Sequence, residues 1–198
     1  MFKHIIKYSL IGLMALGDSL LSAAEKPNVI VIITDDQGYG DIQSHGNPVI
    51  KTPATDQLRS ESVRFTDFHV APKCTPTRGE LMTGLDAMRN GATRVCQGLS
   101  MSFTRHKMMP QYFADAGYET GMFGKWHLGD GYPHRPRYKG FQEVLSFRAW
   151  GITSLADYWN NSYYSPMLMH NGVDKKYFGY VTDIFFNEAM KWIGTCKD

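Results

Sequence analysis

Residues 29–36 read Val29-Ile30-Val31-Ile32-Ile33-Thr34-Asp35-Asp36. Five consecutive β-branched apolar residues without alternation predict a strand covered on both faces, the condition of a strand inside a parallel α/β sheet. Open α/β sheets bind ligands beyond the carboxyl ends of their strands. Asp35 and Asp36 therefore either ligate a metal or cap the turn that Gly38 and Gly40 announce, and residue type alone leaves both roles open. Further along, Thr52 and Pro53 predict the N-cap and first position of a helix over 54–62, with Leu58 on its core side. Val63 to Val70 then alternates apolar and polar residues, the pattern of a half-buried strand, and His69 falls on its polar phase.

That second strand leads into Cys74-Thr75-Pro76-Thr77-Arg78-Gly79-Glu80-Leu81-Met82-Thr83-Gly84. Thr75 is suited to cap a helix and Pro76 to open it, which sets Cys74 just ahead of the first turn. The unpaired N–H groups and dipole of that turn favour an anion such as sulfate or phosphate, and Arg78, one turn on, supplies a planar donor fork. A cysteine ahead of a helix is by itself more often a small buried hydrophobe than a nucleophile. Downstream, Met109 to Ala116 reads as a helix stopped by Gly117, and Tyr118 to Phe123 as the next strand. Gly124-Lys125-Trp126-His127-Leu128-Gly129 follows, where an extended backbone sets the cation and the imidazole on one side. Residues 130–179 read as loop rich in Gly, Pro and aromatic residues, interrupted by a strand over 143–147. Val181 to Ile193 carries a helical apolar stripe closed by Gly194.

The run from Cys74 to Gly84 resembles the signature of the type I sulfatases, in which C-x-P-S/T-R directs oxidation of the cysteine to formylglycine. Cysteine-dependent phosphatases fit poorly, since their loop holds five residues between Cys and Arg. The N-terminal run ending T-D-D-x-G-x-G-D and the later G-Y-x-T-x-x-x-G-K-W-H-L-G are similar to two further motifs of that family. The resemblance implies an α/β, alkaline-phosphatase-like fold with a mixed, mostly parallel sheet flanked by helices. It implies hydrolysis of aryl or carbohydrate sulfate esters by a formylglycine hydrate. It also implies that Asp35, Asp36 and the modified Cys74 hold a calcium ion, that Arg78 and Lys125 bind the sulfate, and that His127 contacts the hydrate. Asp41 is left outside that set. The partners implied are a sulfated small molecule or glycan and a formylglycine-generating enzyme. A phosphodiesterase or phosphonate hydrolase of the same superfamily is the rival enzyme, and a non-catalytic fragment the rival from another class.

Residues 1–24 have the pattern of a secretory signal: Lys3 and Lys7, a short apolar run over 11–16, and Ser22-Ala23-Ala24 before the cleavage point. The expected location is periplasmic or secreted. The resemblance implies that the remaining 25–198 form one sulfatase N-terminal domain; the chain's 43% hydrophobic residues overall and a formal charge of only +2 give no basis for nucleic-acid or anionic-membrane binding. Asn160-Asn161-Ser162 is a glycosylation sequon in a eukaryotic secretory setting. Of the three cysteines, Cys96 and Cys196 are expected to stay unpaired. The second metal pair of the family, an Asp followed by Asn or His, does not occur in the sequence. The 198-residue chain is therefore expected to show little sulfatase activity and to associate through uncovered strands.

Overall fold

A computed structural model describes residues 26–95 and 100–196. The predicted signal segment and Cys96 lie outside them. The chain divides into two units, the first ending at Asp35 and the second beginning at Asp36. In the first, residues 26–35 form no helix or strand, and the side chains from Val29 to Ile33 are exposed, Ile30 to 70%. The strand predicted there is thus not formed. A doubly covered strand needs ladder partners on its edges, and a composition of β-branched residues states a preference without supplying them.

In the second unit, two short 3₁₀ turns, Tyr39–Asp41 and Gln43–His45, precede helix α1, Pro53–Ser60. Thr52 is the N-cap as expected, but its Oγ1 accepts from Gln43 N at 3.0 Å and makes no capping bond to a backbone N–H of the helix. Leu58 is 61% exposed, so its predicted core position is corrected. The strand predicted over Val63–Val70 is also absent: Val63, Phe65, Phe68 and Val70 are all exposed, Val63 to 83%. Alternation marks a face that could be buried, and among the described residues no strand lies against this one. His69 is on the surface beside Asp67, as its phase implied.

The ordered core begins at helix α2, Cys74–Thr83, followed by the short α3, Ala87–Asn90, and α4, Met109–Asp115. Strand β1, Gly121–Phe123, pairs in parallel with β2, Glu143–Ser146; β2 pairs antiparallel with β3, Met167–His170, and β3 with β4, Val173–Lys176. The sheet is mixed, as expected, with its parallel part confined to β1–β2 among the described residues. Helix α5 runs from Val181 to Ile193, the predicted span. Its closing Gly194 is right-handed, with φ −66°, so it does not use the left-handed freedom that glycine offers.

Adjacent residues of β1 serve opposite faces, as the two-residue period of a strand requires. Met122 packs with Ala92, Met108, Trp126 and Leu128, while Phe123 packs with Leu145, Leu168, Val181 and Ile184. The sheet is therefore packed on both sides, and the segment leaving β1 contributes Trp126 and Leu128 to one of the two clusters. Gly140, at φ +102°, sits where an added Cβ would lie 2.5 Å from Gln111 N. Gly140→Ala combines a left-handed backbone with a clash against main chain, and is expected to cost about 2–4 kcal/mol. Urea denaturation measures this; an unshifted midpoint would show that the contact relaxes freely.

Candidate functional site

Helix α2 starts two residues earlier than its sequence suggested. Lys73, at φ −142° and ψ 153°, is the N-cap, and Cys74 is the first helical residue. Thr75 does not cap the helix: it is fully buried, and its Oγ1 donates to the carbonyl of His127 at 3.3 Å. A tertiary acceptor has taken the hydroxyl that local chemistry would spend on the cap. Pro76 becomes the third helical residue, still within the turn whose N–H groups have no intrahelical partner, so its missing donor costs nothing. The first helical bond, from Thr77 N to Lys73 O at 3.2 Å, leaves the N–H groups of Cys74 and Thr75 outside the ladder. Thr77 Oγ1 donates to the carbonyls of Lys73 and Ala71, both at 2.9 Å, fixing the approach. Cys74 itself is half-buried and a free thiol, as is Cys196.

Arg78 is 8% exposed, and its Nη1 donates to Lys125 O at 2.6 Å. With the Thr75 bond, this stitches α2 to the segment after β1 at two adjacent points. The two stretches singled out in the sequence, 47 to 52 residues apart along the chain, are thereby brought together. The segment is not extended throughout, however. His127 has φ +55°, so the argument that Lys125 and His127 share a side by strand alternation does not hold beyond Trp126. Lys125 is half-buried, whereas Trp126, His127 and Leu128 are buried. Trp126 Nε1 donates to His134 O at 2.9 Å, which satisfies the indole and anchors the turn.

His127, 5% exposed, places Nε2 3.0 Å from Val95 O. A carbonyl only accepts, so Nε2 carries the proton and Nδ1 offers a lone pair. Nδ1 is buried and has no partner among the described residues. Burial holds the imidazole below its ordinary pKa, helped by the positive charges of Lys125 and Arg78 and only partly opposed by the Val95 hydrogen bond. His134 is shifted the same way by burial. A histidine depressed in the folded state costs stability when it must be protonated, so stability is complete above about pH 6.5 and is lost as pH falls from there through the folded values. Thermal melts between pH 7.5 and pH 5 are expected to show a falling midpoint, reduced in slope by His127→Asn. An equal slope in both proteins would contradict the assignment.

The carboxylates behave differently. Asp35 and Asp36 are exposed, fall in different units, and Asp36 adopts φ +54°. Among the described residues no three His, Cys, Asp or Glu side chains gather to hold a metal. Calcium takes six to eight oxygens, so this donor set does not fit a complete site. Asp41 is occupied locally, its Oδ2 accepting from Gly38 N at 2.7 Å, the turn role that kept it out of the expected ligands. Among the described residues, no helix is long and apolar enough to cross a membrane.

The sequence matches the family model described as Sulfatase over residues 27–198. It is 38% identical to arylsulfatase G of Canis lupus familiaris over 123 residues, 59% of this chain and 22% of that protein. Among solved structures, Ps i-CgsB superimposes with a TM-score of 0.76 at 30% identity, covering 86% of this chain and 42% of that one. BT4656, solved with its substrate D-glucosamine-2-N,6-O-disulfate, gives 0.72 at 26% identity, over 87% and 32%. The matched stretch thus spans about a quarter of that curated relative.

Proposed function

Because the chain belongs to the sulfatase family, we propose that it carries the nucleophile and the sulfate-binding groups of an enzyme that hydrolyses sulfate esters of aryl or carbohydrate substrates. The observation that supports this most directly is the pairing of the Cys74 helix with the Lys125–His127 segment through the bonds of Thr75 and Arg78. In this reading Cys74 is converted to formylglycine by a formylglycine-generating enzyme; one hydroxyl of its hydrate attacks sulfur and expels the alcohol, and deprotonation of the other collapses the sulfated hydrate to the aldehyde and ejects sulfate.

This chain's own residues have defined tasks in that chemistry. The open N–H groups of the first α2 turn, with Arg78 and Lys125, bind the sulfate and offset charge that grows on it during transfer. Arg78 has one Nη committed to Lys125 O, which orients the rest of its fork. His127 Nδ1, presented as a lone pair by the Val95 contact, accepts a proton from the residue at position 74. Asp35 and Asp36 are proposed as two ligands of a divalent cation, calcium by their hard oxygen chemistry. Two adjacent carboxylates do not complete such a site, and no step here depends on the ion. A periplasmic or secreted location and a sulfated small molecule or glycan as substrate belong to the same proposal.

The test is to produce the chain with a formylglycine-generating enzyme and analyse the peptide spanning residue 74 by mass spectrometry, then compare aryl sulfate with aryl phosphodiester as substrates for a form that turns over. Conversion of Cys74 and preference for the sulfate are expected. A peptide bearing only unmodified thiol would remove the nucleophile, and preference for the phosphodiester would move the protein to the rival activity.

A further inference from the structure

A cavity of about 290 Å³ opens beside the segment that follows β1, lined among others by Trp126, Asp130, Arg135, Arg137, Tyr138 and Phe147. Its size lies at the small end of the range for small-molecule sites, roughly 300–1,000 Å³. Trp126 is the residue between Lys125 and His127, so the cavity shares a wall with the segment that carries both. The sequence reading left this region as loop, and the roles proposed above use none of Arg135, Arg137 or Tyr138.

Each of the two arginines is held by a main-chain carbonyl, with Asp174 within electrostatic reach of Arg135 and Glu143 within reach of Arg137. Arg135 donates Nε to the carbonyl of Asp130, and Arg137 donates Nη1 to the carbonyl of Asn171 at 2.6 Å. Carbonyl acceptors orient a guanidinium and leave its net charge and several donors in place. The carboxylates that act on them take their hydrogen bonds from other groups. Asp174 accepts from Arg148 at 2.9 Å and from the Tyr158 hydroxyl, and Glu143 accepts from Asn171 at 2.7 Å and contacts His170 at 2.5 Å. Asp130 also lines the cavity, its Oδ1 taking Ala149 N–H at 2.9 Å. Among the charged residues lining the cavity two are cations and one is a carboxylate, a balance that favours an anion there, and the aromatic walls suit a sugar ring.

We infer that this cavity is a substrate subsite that binds a second acidic substituent of a saccharide, a carboxylate or a further sulfate, while the scissile sulfate lies at Cys74. This rests on the sulfatase reading and narrows it to polyanionic saccharides. Oriented forks match such groups two bonds at a time, whereas a neutral ring offers them no charged acceptor.

Isothermal titration of the full chain carrying Cys74→Ala, which prevents turnover, would use three probes: a monosulfated disaccharide, its disulfated counterpart and a monosulfated disaccharide bearing a uronate. The doubly acidic probes are expected to bind roughly tenfold more tightly than the monosulfated one. Arg135→Gln with Arg137→Gln should level the three affinities, and the uronate and disulfate arms show which anion is preferred. Should the double variant fold poorly by circular dichroism, Arg137→Gln alone, at an exposed position, should still shrink the difference severalfold. Equal binding of all three probes by the parent chain would overturn the subsite and leave the sulfatase reading standing. No binding by any probe would overturn both.

Discussion

Cys74→Ala is expected to abolish sulfate-ester turnover, a loss of about 10⁴-fold or more in any form of the protein that turns over an aryl sulfate. The melting temperature should barely move. Cys74 is only half-buried, its thiol takes part in no hydrogen bond among the described residues, and it occupies the first position of α2, where alanine is readily accepted. The frame that holds it lies in its neighbours: Thr75 on His127 O, Thr77 on Lys73 O and Arg78 on Lys125 O all survive the change. Cys74→Ser separates chemistry from shape, since it restores a polar atom of similar size without a thiol to oxidise. Initial rates with an aryl sulfate and a thermal melt on the same preparations decide the matter. Turnover by the alanine variant near the parent rate would place the nucleophile elsewhere.

What the sequence disclosed depended on whether the governing interactions were local. Helix α5 was legible from Val181 to Ile193 because its apolar stripe and its end are written within one segment. β1 and β2 were legible because short apolar runs lie between glycines and turns. Val29–Ile33 and Val63–Val70 carry equally clear patterns and form no strand, since a ladder depends on partners that no local pattern can specify. The β3–β4 hairpin was missed although its signal was present: Asn171-Gly172, with φ of +51° and +88°, has the two positive angles of a type I′ turn, and Asn-Gly is the sequence that favours it.

At the site the division is similar. The chemical roles of Lys125 and His127 came from family resemblance, because spacing two residues apart says nothing of function. Strand alternation does not describe this turn, since His127 has a left-handed backbone and Trp126 and Leu128 on either side of it both join the same apolar cluster. Thr75 was read as a cap from its type and neighbours, and only the fold reveals His127 O as its acceptor. Val95, whose carbonyl sets the tautomer of His127, carries no sequence signal, since any residue offers a carbonyl.

The left-handed backbone of His127 also decides how its role should be tested. Asparagine tolerates positive φ far better than alanine, so His127→Asn removes the imidazole while keeping the turn. Turnover is expected to fall by about 10²–10⁴-fold, the usual contribution of a positioned base. The pH profile carries the sharper statement. Burial holds His127 below its ordinary pKa, so the neutral, accepting form prevails at pH 7, and kcat/KM should decline only as pH drops below about 6.5. In His127→Asn that acid limb should vanish together with most of the rate. Lys125→Ala, by contrast, removes the charge proposed to stabilise the transferring sulfate, with an expected cost of roughly 10²–10³-fold. It should retain the limb, moved to higher pH because Lys125 is one of the charges disfavouring the imidazolium. Steady-state profiles of the three proteins, taken at temperatures where each remains folded, distinguish the assignments. An acid limb unchanged in His127→Asn would show that another group takes the proton.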